Sequence, residues 1–304
     1  MPKVSVIIPT HNRGEFVKAA IQSVLNQTYQ DFEIIVVDDA SKDATAEAVN
    51  SFQDGRIQYV RHETNKGEAG ARNTGVMNAI GQFVAFLDDD DEWLPEKLEK
   101  QVNLFRGSSP IIGVVYTGVI EIEALTGRII GQRIPVKRGD IFKDLATNNW
   151  IGAPSSVLLK RECFNKVGLF DENIDYGLDY DMWIRISKKF HFEYIEEPLV
   201  KYHVHENKLS TKYAHMISGY EAQFRKNGSL FALDSKAYSQ YYSDLGVLYG
   251  CTGNIAKARG AFVKAIRIYP FQIRPYRNLC LSLLGAGIFN RLRHTREKLT
   301  LTLQ

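Results

Sequence analysis

Four apolar segments in the first 95 residues alternate with segments of helical spacing. The apolar segments have the length of strands and begin at Val4, Phe32, Ile57 and Phe83. The segments between them repeat apolar residues every three or four positions, as Glu15–Leu25 does. Because strands and helices alternate in this way, we expect an α/β fold whose sheet is mostly parallel, with right-handed crossovers.

Polar residues follow three of the four strands, at the point where each strand should end. They are Thr10–Arg13 after the first strand, Asp38-Asp39 after the second and Asp88–Asp91 after the fourth. The carboxyl ends of parallel strands meet at one edge of a sheet, and ligands of open α/β sheets bind outside that edge. These three segments are therefore predicted to form one site.

The fourth strand is followed by five consecutive acidic residues, Asp88 to Glu92. Two carboxylates about 4 Å apart repel each other by roughly 4 kcal/mol at an effective dielectric constant near 20, and a divalent cation would offset this repulsion. All the donors are hard oxygens and no His or Cys is near in sequence, so Mg²⁺ or Mn²⁺ is favoured over zinc. A solvated acidic turn before the helix that Pro95 begins is the alternative, but the position at a strand end favours the cation.

Length and composition exclude several other classes of protein. The chain of 304 residues suits one large domain and a smaller one. Its longest nearly apolar run, Ile111–Ile120, is too short to cross a bilayer, and no charged-then-apolar leader precedes Val4. Three scattered cysteines predict a cytoplasmic location and no cysteine metal site. The glycine spacing does not match a dinucleotide-binding loop, which argues against a nicotinamide or flavin enzyme.

Four segments form an ordered set of motifs: Val4–Arg13, Ile35–Ser41, Asn65–Gly67 with Ala71–Asn73, and Phe86–Asp91. Together they resemble the donor half of a family 2 glycosyltransferase. That family has the A-type nucleotide-sugar transferase fold, a Rossmann-like and mostly parallel central sheet flanked by helices. The resemblance covers the N-terminal 95 residues.

The resemblance implies a role in nucleotide-sugar binding for six residues: Pro9, His11, Asp39, Arg72, Asp88 and Asp89. The first three would hold the nucleotide base, Arg72 would lie near the base or the diphosphate, and one of the last two would hold the ribose. Asp90 would hold the Mn²⁺ or Mg²⁺ that bridges the diphosphate. From its spacing alone, Arg72 is expected to be an exposed arginine on a helix.

Two further residues follow from the same resemblance in the second half of the chain. Family 2 enzymes have Gly-Glu-Asp-x-Asp-Leu-Trp where this chain has Gly177–Trp183, which places the catalytic base on Asp179, with Leu178 in place of the usual Glu. An acid that only caps its helix is the alternative. His205 would approach the metal or the diphosphate, although His203 could serve instead and an exposed histidine is the commoner case.

The C-terminal segment has its own pattern. Its apolar and small residues match the spacing of a tetratricopeptide repeat at Tyr242, Leu245, Gly246, Tyr249, Gly253, Ala258, Phe262, Ala265 and Pro270. A partial second repeat begins at Tyr276 and Leu279, with Gly287 in the place of Gly253. One and a half repeats cannot bury a continuous core, so these helices are expected to pack on the catalytic domain or on a partner protein.

Charge also separates this segment from the rest of the chain. Residues 255–304 carry ten Lys or Arg and a single acidic residue, a net charge of +9, whereas residues 1–254 carry −6. A basic tail on an acidic body predicts an anionic partner, most simply the face of a membrane. A tail made soluble by its arginines and lysines is the alternative.

These observations predict a catalytic domain over residues 1–225 and a helical tetratricopeptide-like tail over residues 226–304. The catalytic domain divides into a donor nucleotide-binding half (1–95) and an acceptor half (96–225). The predicted enzyme is an inverting, metal-dependent glycosyltransferase that uses a nucleotide-diphosphate sugar, with a UDP-sugar as the first choice. Its acceptor would be a glycan or a lipid-linked sugar in surface-polysaccharide or glycolipid assembly, at the cytoplasmic face of a membrane, and nucleic acid is not a predicted partner.

Two other functions are compatible with parts of this pattern. A phosphatase with an aspartate nucleophile also has Asp-x-Asp after an apolar strand, but it requires Thr where Asp91 stands. A non-catalytic scaffold could keep the nucleotide-sugar fold and bind a protein through the helical tail, although the presence of both Asp90 and Asp179 argues against it.

Overall fold

The structure is a computed structural model that describes residues 3–205, 213–285, 287 and 289. The chain forms two compact units, one within residues 1–142 and 149–205 and the other within residues 143–148 and 206–304. The predicted division at residue 225 falls inside the helix Tyr213–Phe231, which has a non-helical residue at Asn227.

Within the described residues, the first unit contains one sheet of nine strands. The strands are β1 (Val4–Thr10), β2 (Phe32–Asp38), β3 (Ile57–Arg61), β4 (Phe83–Phe86), β5 (Glu92–Trp93), β6 (Ile112–Glu123), β7 (Ile129–Arg133), β8 (Val157–Lys160) and β9 (His191–Val204). Their order in the sheet is β3-β2-β1-β4-β8-β6-β9-β5, and β7 pairs with β6.

The four strands predicted from the N-terminal sequence are parallel and adjacent, so the α/β prediction is confirmed. β8 joins this part antiparallel to β4, and β6 continues antiparallel to β8. β9 pairs parallel to β6 and antiparallel to the short β5. The acidic residues therefore lie in the connection between β4 and β5, where one chain segment links two distant positions of the sheet.

Helices cover the strands of the first unit. They are α1 (Gly14–Leu25), α2 (Thr45–Asn50), α3 (Gly67–Asn78), α4 (Lys97–Gly107), α5 (Glu162–Val167) and α6 (Leu178–Ser187). β1, β2 and β4 are buried almost throughout, as expected for parallel strands with helices on both faces. A core of this kind fixes the positions of the strand ends. It therefore also fixes the positions of the polar residues that directly follow the strands.

α3 packs against β1 at a glycine. A Cβ atom added at Gly75 would lie 2.3 Å from Cγ2 of Ile7, a side chain that is fully buried in the centre of the sheet. The helix can approach the strand this closely only because residue 75 has no side chain. The same helix carries Arg72, so this contact also sets the position of a predicted site residue.

The second unit contains four helices among its described residues. They are α7 (Tyr213–Phe231), α8 (Ser235–Cys251), α9 (Ile255–Ile268) and α10 (Ile273–Leu283). Gly253 has a φ of +83° in the short connection between α8 and α9, and a Cβ at Gly246 would lie 2.6 Å from Phe262 of the next helix. Helices therefore occupy the predicted repeat and approach each other at its small residues, and their assignment as tetratricopeptide repeats stays a prediction. None of the described helices is both long and apolar enough to span a bilayer.

We expect Gly75→Ala to lower the free energy of unfolding by about 1–3 kcal/mol, because the new methyl group must displace Ile7 or shift α3. Chemical denaturation of the full chain measures this change. Gly107→Ala is the matched control, since a Cβ at that last residue of α4 meets no atom within 4 Å and the substitution should be neutral or slightly stabilising. Equal stability of the two variants would contradict the packing described at β1.

Candidate active site

The acidic turn, Asp88–Asp91, connects β4 to β5 at the carboxyl ends of the parallel strands. The backbone N–H of Asp91 donates to the carbonyl oxygen of Asp88 (3.0 Å), which closes the turn. The predicted gathering of the three polar segments at this edge is present in the structure, because residues after β1, β2 and β4 contact one another there. Each of the four aspartates has a different set of partners, and these partners distinguish their roles.

Asp91 is fully buried and anchors the turn. Its carboxylate accepts a hydrogen bond from Oγ of Ser155 (2.7 Å) and another from the backbone N–H of His203 (3.1 Å). Ser155 also accepts from the backbone N–H of Asp88 (3.1 Å), so one serine holds both ends of the turn. Ser155 lies on a short 3₁₀ turn (Pro154–Ser156) before β8, and no motif in the sequence identified it.

Asp89 and Asp90 share an arginine. Nη1 of Arg13 lies 2.9 Å from Oδ1 of Asp89 and 3.0 Å from Oδ2 of Asp90, and both carboxylates are buried. Burial raises the pKa of Asp89 to about 6, although the charge of Arg13 acts in the opposite direction. Arg13 belongs to the first polar segment, and no motif indicated that its partner would lie 76 positions away.

His205 and His203 both reach Asp90, from the end of β9. Nε2 of His205 lies 3.3 Å from Oδ2 of Asp90. His203 is used differently, because its Nδ1 donates to the backbone carbonyl oxygen of Asp90 (2.7 Å). Of the two predicted alternatives, His205 is therefore the one whose ring nitrogen faces the carboxylate.

The donor set at Asp90 and His205 is compatible with Mn²⁺ or Mg²⁺. Two neighbouring ligands of an octahedral ion, each about 2.1 Å from the metal, lie about 3 Å apart, close to the separation of these two atoms. In the part of the chain that the structure describes, no group of three or more His, Cys, Asp or Glu side chains is arranged to hold a metal. An ion at Asp90 would thus need further ligands from the substrate or from water, as Mg²⁺ commonly has in sites that bind phosphates.

Arg72 is buried, with 1% of its surface exposed, so the expectation of an exposed arginine is wrong. Its guanidinium lies 2.7 Å from Asp88 and 2.7 Å from Glu68, with the rings of Phe86 and Phe170 within 6 Å. Although burial opposes it, the surrounding carboxylates raise the pKa of Arg72. The spacing could not show this burial because Phe170 comes from a loop almost 100 residues further along the chain.

His11 and Asp39 lie together at the ends of β1 and β2. Nδ1 of His11 donates to the backbone carbonyl oxygen of Asp39 (2.6 Å). Two residues before them, Pro9 of β1 pairs with Val37 of β2. The carboxylate of Asp39 is buried and accepts from the backbone N–H groups of Lys66 and Gly67, both at 2.8 Å.

Two residues beside His11 and Asp39 have unusual backbone conformations. Asn12 has a φ of +54° and Ala40 a φ of +62°, a region that residues other than glycine rarely occupy. The backbone N–H of Asn12 donates to Oγ of Ser41 (2.8 Å), which ties the two loops together. Such strain concentrates at functional sites, because the surrounding structure must hold it.

Asp179 lies at the N-terminal turn of α6, as predicted, two positions after the N-cap residue Gly177, which has a φ of +77°. Burial raises its pKa; the positive charge of Arg72 opposes this shift and the charge of Asp88 adds to it. Nδ2 of Asn149 lies 3.3 Å from its carboxylate. Asp179 therefore shares one electrostatic environment with Arg72 and the acidic turn.

Asp181, the second acid of the same motif, has a structural role. It is fully buried and accepts a hydrogen bond from Nε of Arg185 (2.8 Å), one helical turn later. Arg185 in turn donates to the carbonyl oxygen of Val167 (2.6 Å), which fixes the loop before α6. The two aspartates of this helix thus differ in environment although they are two positions apart.

Residues 5–168 match the family described as Glycosyl transferase family 2. An uncharacterized glycosyltransferase, RT0329 of Rickettsia typhi, is 31% identical over 84% of this chain and 82% of its own length. The UDP-Glc:alpha-D-GlcNAc-diphosphoundecaprenol beta-1,3-glucosyltransferase WfgD of Escherichia coli is 36% identical over 61% of this chain and 70% of its own length.

Two solved structures have the same fold. TarS 1–349 of S. aureus, in complex with UDP-GlcNAc, has a TM-score of 0.63 at 18% identity, covering 97% of this chain and 92% of that one. The mannosyltransferase PcManGT of Pyrobaculum calidifontis, in complex with GDP-Man and Mn²⁺, has a TM-score of 0.60 at 18% identity, covering 95% of this chain and 87% of that one. At this identity the likeness establishes the A-type fold.

We expect Ser155→Ala to lower the free energy of unfolding by about 1–3 kcal/mol, because the buried carboxylate of Asp91 loses a donor. Chemical denaturation measures the change. Ser156→Ala is the control: this neighbouring buried hydroxyl donates to the carbonyl oxygen of Ala153, and its loss should cost about 1 kcal/mol or less. A larger loss in Ser156→Ala than in Ser155→Ala would contradict the anchoring of the acidic turn.

Proposed function

The chain belongs to glycosyl transferase family 2, and we propose that it is an inverting enzyme that transfers a sugar from a nucleotide-diphosphate sugar to an acceptor hydroxyl. The observation that carries this proposal is the shared environment of Asp179, Arg72 and the acidic turn. A carboxylate that can take a proton lies in the same charged cluster as the carboxylates suited to a metal-bound diphosphate. This arrangement supports sugar transfer over the phosphatase and the idle scaffold.

Asp179 is the proposed catalytic base. Its raised pKa makes the carboxylate a better proton acceptor than an exposed aspartate, and it would take the proton of the acceptor hydroxyl during in-line attack. The sugar would pass through an oxocarbenium-like state, as in glycosidic bond cleavage generally. Attack from the side opposite the leaving diphosphate accounts for inversion.

The remaining residues would bind the donor. We assign the base to Pro9, His11 and Asp39, whose loops the structure ties together. Arg72 would lie near the base or the diphosphate, and Asp88 or Asp89 would hold the ribose. Since the carboxylate of Asp39 already accepts two backbone N–H groups, its contribution would be to fix the loop that forms the base pocket as well as to contact the base.

Asp90 and His205 are the proposed ligands of Mn²⁺ or Mg²⁺, which when bound would supply positive charge to the diphosphate leaving group. Arg13, which pairs with both Asp89 and Asp90, would hold their two carboxylates side by side. The complex of PcManGT with Mn²⁺ is consistent with a divalent ion in this fold.

A UDP-sugar is the proposed donor, and a lipid-linked sugar or growing glycan the proposed acceptor, in the assembly of a surface polysaccharide or glycolipid. WfgD, which is named for UDP-Glc and a diphosphoundecaprenol-linked GlcNAc, supports both choices. Work on a lipid-linked acceptor would place the protein at the cytoplasmic face of a membrane. The basic helical tail, read as tetratricopeptide-like, would then meet that face or a protein partner.

We expect Asp90→Asn to abolish the Mn²⁺-dependent binding of UDP, because the amide supplies a weaker and uncharged ligand. Isothermal titration calorimetry measures the affinity of the variant for UDP, once in the presence of Mn²⁺ and once in the presence of a chelator. Wild-type protein in chelator is the reference for binding without metal. A variant that binds UDP in Mn²⁺ as tightly as wild type would show that Asp90 does not hold the metal. Absence of UDP binding in the wild type would favour the scaffold alternative.

We expect Asp179→Asn to reduce sugar transfer by about 10²–10⁴ and to leave UDP affinity unchanged, because the amide cannot accept the proton. Asp175→Asn is the matched control, because it makes the same substitution at an exposed aspartate four residues before Asp179. Asp181→Asn is unsuitable, because breaking its buried pair with Arg185 would cost stability. Full transfer activity in Asp179→Asn would leave the proposed mechanism without its base.

A further inference from the structure

α10 leaves a largely apolar face exposed. Five residues of this helix and Leu284 directly after it are exposed, and these six fall at the spacings of a single helical face: Ile273, Tyr276, Arg277, Cys280, Leu283 and Leu284. Five of the six are apolar or weakly polar, and the exposed large ones, with Phe271 just before the helix, are between 42% and 84% exposed. A surface helix ordinarily turns such a face toward the protein core.

The opposite side of α10 packs against the unit through apolar and polar residues, and Leu279 and Leu281 contact the core around Phe262. Pro275, Asn278 and Ser282 are buried there, and the carbonyl oxygen of Ser282 accepts a hydrogen bond from Nη2 of Arg259 on α9 (2.7 Å). This polar contact fixes which side of α10 lies against α9. The apolar face, defined here as the seven residues Phe271, Ile273, Tyr276, Arg277, Cys280, Leu283 and Leu284, is thus held outward by the packing of the unit itself.

Phe289, a described residue after α10, packs in the core of the unit. Phe289 is fully buried, and its ring centroid lies 6.3 Å from that of Phe262 on α9. A Cβ at Gly250 of α8 would lie 2.4 Å from the same ring. Phe289 therefore packs against α8 and α9, in the cluster that Leu279 and Leu281 of α10 also contact.

The net charge of α9 and α10 selects the partner. Residues 255–285 carry six basic residues and no acidic one. Arg277 lies on the apolar face itself, whereas Arg274 pairs with Asp244 of α8. A second copy of the chain seated on the same face would bring two such basic surfaces together, and like charges across an interface oppose association. An anionic lipid surface matches both properties, because it accepts apolar side chains below the headgroups and attracts Lys and Arg above them.

We propose that the apolar face of α10 docks on an anionic membrane, with its large apolar side chains inserted at the headgroup boundary. This inference rests on the proposed membrane location of the enzyme and names the surface responsible for it. It requires no change in the catalytic unit, since all the residues involved belong to the second unit.

Co-sedimentation of the full chain with lipid vesicles tests the proposal. We expect binding to vesicles of equal parts phosphatidylglycerol and phosphatidylcholine, and much weaker binding to vesicles of phosphatidylcholine alone. The double variant Ile273→Ser/Leu283→Ser should bind the anionic vesicles at least about tenfold more weakly, because two inserted apolar side chains are lost. Arg277→Gln should weaken binding about fivefold, the effect of one basic residue near such a surface.

The matched control is Met77→Ser/Ile80→Ser, which removes two exposed apolar side chains from the first unit and should bind the vesicles like wild type. The double variant on α10 should unfold at the same temperature as wild type and bind UDP equally well, since it removes exposed groups only. If the wild-type chain binds the anionic vesicles but not UDP, the proposed enzymatic function is contradicted and the proposed membrane surface is not.

Four outcomes would overturn the proposal. The wild-type chain could sediment with neither kind of vesicle, or with both kinds equally. The double variant could bind the anionic vesicles as tightly as wild type. Analytical ultracentrifugation could also find a wild-type dimer that the double variant converts to monomer, in which case the face joins two copies of the chain.

Discussion

Mutual repulsion of carboxylates at the end of β4 is the constraint on which the rest of the site depends. Four aspartates follow one another there, and three of them are buried. Such a turn is tolerated only if each carboxylate has donors or a countercharge of its own. Ser155 and the backbone of His203 serve Asp91, Arg13 serves Asp89 and Asp90, and Arg72 serves Asp88.

These partners come from every part of the catalytic unit. Arg13 directly precedes α1, Arg72 lies on α3, Ser155 precedes β8 and His203 lies near the end of β9. The acidic turn is therefore the point at which the parallel half of the sheet and the mixed half are joined by side chains. The same contacts that stabilise the turn leave Asp90 facing His205 and bring Asp179 within the field of Arg72 and Asp88. Stability and the proposed chemistry thus depend on one set of residues.

The second unit is held together by a different kind of contact. Its helices pack through glycine and alanine contacts, as at Gly246 against Phe262, and they leave one helix with a largely apolar face outward. In a stacked array of helices such a face would be covered by the next repeat. Here the high positive charge and the exposed apolar side chains occur on the same helices, which is the combination that favours a lipid surface.

The sequence by itself determined the strand–helix alternation, the parallel direction of the first four strands and the edge at which the polar segments meet. These follow from local periodicity and from the geometry of crossovers, both of which are readable over short stretches. Family motifs added Asp90 and Asp179 to the candidate residues. Only the tertiary structure decided that Arg72 is buried, that Arg13 binds Asp89 and Asp90, that Ser155 anchors Asp91 and that α10 exposes a largely apolar face. Each of these depends on the rotation of an element about its axis and on a partner far away in the chain, and neither is encoded in the spacing of neighbouring residues.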